Sequence, residues 1–399
     1  MTAPLNLLQR SMLKRQLADP ASRMYVIPVF LRLAPGIDPV RFAAAWTRAA
    51  ASFEIFRARL CEAEGCVWRL TDGEGPVMSV REIADDELEE ARDRVSSLDL
   101  FSEPPVRAAV YVTPTRGDWA SVTFHHLALD GAGFKALNRL VERAYFEPGV
   151  RIPTDGAFRR LLESAQEERS PRFARARGYW ERTYGDGGWA TCPRTDRSEG
   201  GASQGELFFD LPIAVNDFWR ICRERDMLPG LFVQAVAIRA IAEDVGSPSA
   251  LTGWVCHGRS RADRHLGLPL VKELVLGADA SLPDDRFAQL LRKRQYEALR
   301  SSCCPWASLP ECPYFDRIAD VLYQGDLRSG EGQSARLYVN DPDESDGFNT
   351  GSQNILDIEI LERDGRLSAY FDYSAARYSP VRMAEFRDIF LACFSEFVA

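Results

Sequence analysis

The sequence predicts an α+β protein of two lobes, each a layer of helices on a β-sheet, and three observations carry that prediction. The chain has 399 residues, 46% of them hydrophobic, a globular composition at a length beyond the usual reach of a single core. Apolar residues recur with period 2 in some segments and at i, i+3, i+4 and i+7 in others, so strands alternate with helices. The second half then repeats the element grammar of the first. The expected division is a first lobe over 1–165, an inter-lobe helix and linker loop over 166–205, and a second lobe over 206–399.

In the first lobe, 6–16 reads as a helix and 24–33 alternates as a strand. Residues 39–53 place Phe42, Ala45, Trp46 and Ala49 on one face, and Asp38 ahead of Pro39 supplies an N-cap with proline at the first helical position. Residues 106–113 and 119–125 are strands joined through a turn at 114–118. A helix over 133–146 carries Phe134, Leu137, Leu140, Val141 and Ala144 on one stripe. The polar, arginine-rich stretch 155–184 reads as a helical connector, and 185–204 as a loop rich in glycine, serine and charge. The second lobe begins with a strand at 206–211, helices at 215–225 and 230–244, and a strand at 251–256. A helix at 284–300, strands at 354–361 and 366–373 and a helix at 380–398 complete it.

Charge and composition exclude several classes. The 49 Lys plus Arg against 58 Asp plus Glu give −9, and the arginines are spread without a basic tract. Neither nucleic acid nor an anionic membrane surface is an expected partner. Arg10, Lys14 and Arg15 interrupt the first twenty residues, which therefore lack a signal-peptide core. The richest apolar run, 231–242, is broken by Gln234 and Arg239, so no segment reads as a membrane span. A cytoplasmic monomer is expected. Nine cysteines with no CxxC pair read as reduced, mostly packed thiols. Cys303, Cys304 and Cys312 lie among prolines and near no histidine in sequence, and no metal site is expected.

Only four histidines occur, His125, His126, His257 and His265. Two are adjacent in Phe124-His125-His126-Leu127-Ala128-Leu129-Asp130-Gly131, where a strand ends, a short turn follows and a helix begins. An HHxxxDG string arises by chance on the order of once in several thousand chains of this composition. Neighbouring side chains at a strand end point to opposite faces, so the two histidines are poor joint metal ligands. One can face a cleft as a general base while the other packs inward. Asp130 can fix the turn through an arginine. Gly131 offers a backbone N–H and the positive end of a helix to a developing oxyanion.

At these residues the chain resembles the condensation domains of nonribosomal peptide synthetases, within the chloramphenicol-acetyltransferase-like superfamily. The resemblance extends more weakly along Pro4-Leu5-Asn6-Leu7-Leu8-Gln9, Phe56-Arg57-Ala58-Arg59-Leu60, Leu98-Asp99-Leu100 with Pro105-Val106-Arg107-Ala108, Tyr179-Trp180, Gly258-Arg259, and Ala369 to Tyr373. It implies a pseudo-dimer of two lobes with a tunnel between them, His126 as the catalytic residue, and His125 and Asp130 as supports. Arg57 would be the partner of Asp130, and His257 and Arg259 would be tunnel-lining. The family often carries a histidine shortly before that arginine, where this chain reads Ser52-Phe53-Glu54.

The implied reaction is transfer of an acyl group from a phosphopantetheine thioester on a carrier protein to an amine or hydroxyl acceptor. No permanently bound cofactor is expected. A coenzyme A donor and a catalytically degenerate recruitment platform are the alternatives. With only Met1 to Ala3 ahead of the opening segment, a free-standing enzyme is expected.

Related chemistries fit less well. Epimerisation domains add a second acid/base glutamate where this chain has Val255, which cannot move a proton. Ser203 sits in a GxSxG string, but polar loop precedes it and a strand follows, the reverse of a nucleophile elbow. Gly330, Gly332 and Ala335 match GxGxxA without a following helix to meet a pyrophosphate. Arg292, Lys293 and Arg294 read as a solvated helix face, and His265 as structural.

Overall fold

The computed structural model describes residues 1–20, 25–63, 65–73, 75–93, 98–185, 187–198, 204–309, 317–324, 336–339, 355–363 and 365–398. The chain divides into two compact units. The first takes Met1–Gln166, Gly258–Val271 and residues 336–339; the second takes Glu167–His257 and residues 272–324 and 355–398. A second lobe continuous from 206 is therefore not what the chain forms. Segment 258–271 belongs to the first unit because buried carboxylates there hold its backbone.

The first unit runs β1 (Thr2–Pro4), α1 (Leu7–Ala18), β2 (Val26–Arg32), α2 (Pro39–Ala50), β3 (Ala58–Ala63), β4 (Gly65–Leu70), β5 (Ser79–Glu82), α3 (Glu87–Asp93), β6 (Val106–Val112), β7 (Trp119–His125), α4 (Gly131–Phe146) and α5 (Ala157–Glu167). Strands β2-β7-β6-β5 make one sheet and β1-β4-β3 a smaller one. Helix α2 forms as its sequence predicts: Asp38 accepts from the Arg41 N–H at 2.6 Å, Pro39 opens the first turn, and Phe42, Ala45, Trp46 and Ala49 are buried. It packs against α4, whose Phe134, Leu137, Val141 and Ala144 share the same core. Six large side chains of that core, Trp46, Trp68, Phe42, Phe53, Phe56 and Phe124, are fully buried, each worth roughly 1.5–3 kcal/mol of transfer free energy.

The second unit runs α6 (Pro171–Tyr184), β8 (Gln204–Ala214), α7 (Val215–Glu224), α8 (Pro229–Val245), β9 (Ser249–Cys256), β10 (Lys272–Asp279), α9 (Asp284–Arg300), β11 (Asp320–Gln324), β12 (Leu356–Arg363), β13 (Arg366–Ser374) and α10 (Pro380–Val398). Its six-stranded sheet has the order β10-β9-β11-β12-β13-β8, with β11 parallel to both neighbours. Helix α8 is apolar nearly all round and buried to match. Its one buried amide, Gln234, donates to the carbonyls of Gly253 and Val321 where β9 and β11 part, at 2.9 and 3.1 Å.

Several elements depart from expectation. The stretch 155–184 is two helices, because Ser170 caps Phe173 and Pro171 begins a new first turn. Helix α4 starts at Gly131, two residues early, with Asp130 as its N-cap. Strands β3, β4, β5, β10 and β11 carry no clear alternation. Eight described cysteines are free, and Cys312 lies outside the described residues. Among the described residues no helix is long and apolar enough to cross a membrane, and no group of three or more His, Cys, Asp or Glu side chains is placed to hold a metal.

Candidate active site

Strand β7 ends at His125, paired with Val26 of β2, and the chain turns at once. The His125 N–H donates to the Pro105 carbonyl at 2.9 Å and the His126 N–H to the Tyr25 carbonyl at 2.7 Å. The Ala128 N–H closes the turn on the His125 carbonyl at 2.8 Å. His125 points inward, is 1% exposed, and lies 6.0 Å between ring centroids from Tyr25. Its Nδ1 accepts from the Leu127 N–H at 3.1 Å, so the neutral ring carries its proton on Nε2. Burial, with His126 beside it, pushes its pKa down to about 3.

His126 is half-buried. Its Nδ1 is buried and has no hydrogen-bond partner among the described residues. Burial lowers its pKa, opposed by the Asp130 carboxylate and the backbone of His126 and Leu129. A ring held below the ordinary histidine value is neutral at physiological pH and able to accept a proton.

Asp130 is 1% exposed and does three things at once. Its Oδ1 caps α4 through the Gly133 N–H at 2.7 Å and meets Arg259 Nη2 at 2.6 Å, and its Oδ2 accepts from the Leu270 N–H at 2.9 Å. The arginine on Asp130 is thus Arg259, and the pairing with Arg57 is corrected. The Arg57 carbonyl instead takes the N–H and hydroxyl of Thr71, at 2.9 and 2.7 Å, and its buried Nε has no hydrogen-bond partner among the described residues.

Arg259 donates further to its own loop, from Nη1 to the carbonyls of Asp263 and Leu266 and from Nη2 to that of Leu268, while its buried Nε has no hydrogen-bond partner among the described residues. It is a clamp of the segment 258–271, with a side chain 6% exposed. His257 is exposed, one residue beyond β9, and belongs to the second unit.

Gly131 is the first residue of α4 and is exposed, and a Cβ there meets nothing within 4 Å. Its N–H belongs to the first-turn donors that a helix leaves without an internal partner. Gly133 is different: a Cβ would lie 2.6 Å from Leu129 Cδ1 and 3.3 Å from Asp130 Oδ1. Sequence reasoning missed it, although a second glycine in a helical first turn runs against propensity and was the available signal.

Two further buried polar residues were missed. Asp155 accepts from the N–H groups of Glu54, Ala157 and Gly267 at 3.1, 3.2 and 2.9 Å, and its carbonyl meets His265 Nε2 at 3.0 Å. Burial raises its pKa, opposed by those three N–H groups. Gly267 comes so close to Phe53 that a Cβ would lie 2.1 Å from the ring. Ser52-Phe53-Glu54 is therefore part of the anchorage of segment 258–271. Gln9, fully buried, donates from Nε2 to the Leu127 carbonyl at 2.7 Å. Ser203 and Gly330 to Ala335 lie outside the described residues.

The condensation domain family matches residues 1–399, and the chain belongs to it. The family is one of acyl-transferring domains in nonribosomal peptide and polyketide synthesis. Over 155 residues the chain is 30% identical to the probable non-canonical nonribosomal peptide synthetase CymA of Salinispora arenicola (strain CNS-205), a match covering 38% of this chain and 2% of that protein's length.

Among solved structures, the condensation domain of the Monacolin K polyketide synthase MokA superimposes with a TM-score of 0.82 at 16% identity, covering 100% of this chain and 97% of that one. The X-domain from teicoplanin biosynthesis, solved in complex with OxyB, gives 0.79 at 18% identity over 99% and 93%. A variant of the starter condensation domain of rhizomide synthetase RzmA, in complex with C8-CoA, gives 0.76 at 18% identity over 100% and 95%. At these identities the likeness is one of fold.

Proposed function

We propose that this chain is a condensation-type acyltransferase that moves an acyl group from a phosphopantetheine thioester on a carrier protein to an amine or hydroxyl acceptor, forming an amide or ester. The observation that carries the reading is a half-buried His126, its pKa lowered by burial, on the turn that leads into the exposed N-terminus of α4 at Gly131. The acceptor's nitrogen or oxygen attacks the thioester carbonyl while His126 Nε2 takes or orients its proton. The carbonyl oxygen becomes an oxyanion that the Gly131 N–H and the helix end stabilise. The C–S bond then breaks, and the departing thiolate recovers a proton from His126.

No step of this scheme calls for a metal or a redox cofactor. A coenzyme A donor supplies the same pantetheine thioester, and the C8-CoA bound by the RzmA variant keeps it as the alternative donor. A recruitment role is the second reading, favoured by the likeness in fold to an X-domain that was solved with OxyB.

Turnover of a synthetic acyl-pantetheine thioester with an amine or alcohol acceptor tests the proposal. His126→Ala should lower the rate about 10²- to 10⁴-fold, the usual contribution of a positioned base. An alanine variant as active as the wild type removes His126 from the chemistry, and a wild type inert toward all thioesters favours recruitment.

A further inference from the structure

The capping box of α1 carries more than its helix. Asn6 Oδ1 accepts from the Gln9 N–H and Gln9 Oε1 accepts from the Asn6 N–H, both at 2.9 Å, a reciprocal pair that satisfies two donors of the first turn. Each side chain has an amide NH₂ left over, and neither is spent on solvent. Gln9 Nε2 reaches the Leu127 carbonyl at 2.7 Å, directly after His126, and Asn6 Nδ2 reaches the Pro269 carbonyl at 3.0 Å. The next residue, Leu270, donates to Asp130, and Asp130 ends the turn that Leu127 begins.

The bonds therefore close a ring around residues 127–130: Leu127 to Gln9, Gln9 to Asn6, Asn6 to Pro269, Leu270 to Asp130. Within it Leu127, the residue after His126, has its N–H on His125 Nδ1 and its carbonyl on Gln9 Nε2. The two peptide planes that flank Leu127 each carry one of these buried hydrogen bonds, so neither rotates without losing one, and the first of them joins Leu127 to the backbone of His126. His126 itself receives no such hold through its ring, since its Nδ1 is unpartnered among the described residues.

From this ring we infer that Gln9 is a positioning residue for His126, acting through the Leu127 carbonyl, with Asn6 linking it to the segment anchored on Asp130. The inference rests on the acyl-transfer reading for its kinetic consequence, and on the ring alone for its structural one. Gln9→Met keeps the length and loses both amide functions. The ¹⁵N shifts of the His126 ring, assigned by comparison with His126→Ala, should move in the folded variant. With a pantetheine thioester, kcat should fall about tenfold while KM stays within about twofold, the pattern of a misplaced catalytic group.

Unchanged His126 ring shifts in folded Gln9→Met overturn the inference. If that variant does not fold, Asn6→Asp decides: aspartate caps as well as asparagine but has no donor for Pro269, and unchanged ring shifts there overturn it equally. A wild type without thioester turnover sinks the function while leaving the ring-shift result to decide the positioning role.

Discussion

Two adjacent histidines at the end of one strand meet different surroundings, His125 buried and His126 half-buried. His125 turns inward, accepts from the Leu127 N–H and is neutral in the fold down to about pH 3. In the unfolded chain the same ring titrates near its ordinary value of 6.5, so below that pH the unfolded state binds the extra proton. The stabilising contribution is complete above pH 6.5 and is lost as pH falls toward 3, at about 1.4 kcal/mol per pH unit. His125→Asn retains an acceptor for Leu127 without the titration. Urea unfolding at pH 7 and pH 5 should therefore cost the wild type about 2 kcal/mol more than the variant; parallel losses would show that His125 is not neutral inside. The pair itself was legible in the sequence, because alternation at a strand end assigns the two rings to opposite faces. The buried Nδ1 of His126, without a partner among the described residues, was not, since it depends on what packs around the turn.

At the scale of elements, the N-terminus of α4 is the point to which distant parts of the first unit are tied. Asp130 caps the helix, and its ion pair with Arg259 spans 129 residues of sequence. Nothing local in Gly258-Arg259-Ser260 distinguishes that arginine from Arg57, which sits closer in sequence and in a motif of its own. The choice is made by the backbone of segment 258–271, whose carbonyls at Asp263, Leu266 and Leu268 fix the guanidinium.

Both charges are nearly inaccessible, at 6% and 1% side-chain exposure, so removing one strands the other. Arg259→Met should destabilise the protein by about 3–5 kcal/mol. A double-mutant cycle with Asp130→Asn should show strong coupling, whereas Arg57→Met with Asp130→Asn should add within about 0.5 kcal/mol. Coupling at Arg57 and none at Arg259 would reverse the assignment. Helix boundaries followed capping chemistry where it was read, at Asp38 and Pro39, and were missed where it was not, at Ser170 and Asp130.

For the molecule as a whole, the two α+β units were visible in periodicity and in the repeated order of elements, because both signals are local. The interleaving of the chain was not. Segment 258–271 joins the first unit through hydrogen bonds to Asp130, Asp155 and Asn6, single polar residues that no hydrophobic pattern announces. The same bonds surround the residue proposed to do the chemistry, so the account stands or falls on a neutral His126 acting as base. The pH dependence of acyl transfer from a pantetheine thioester to an alcohol acceptor, each rate divided by that of His126→Ala at the same pH, measures this directly. Because burial lowers the His126 pKa below 6.5, the ratio should be level from pH 8 to 6.5 and fall below that as the ring gains its proton. A ratio near one throughout, or one that rises as the pH drops, would contradict it.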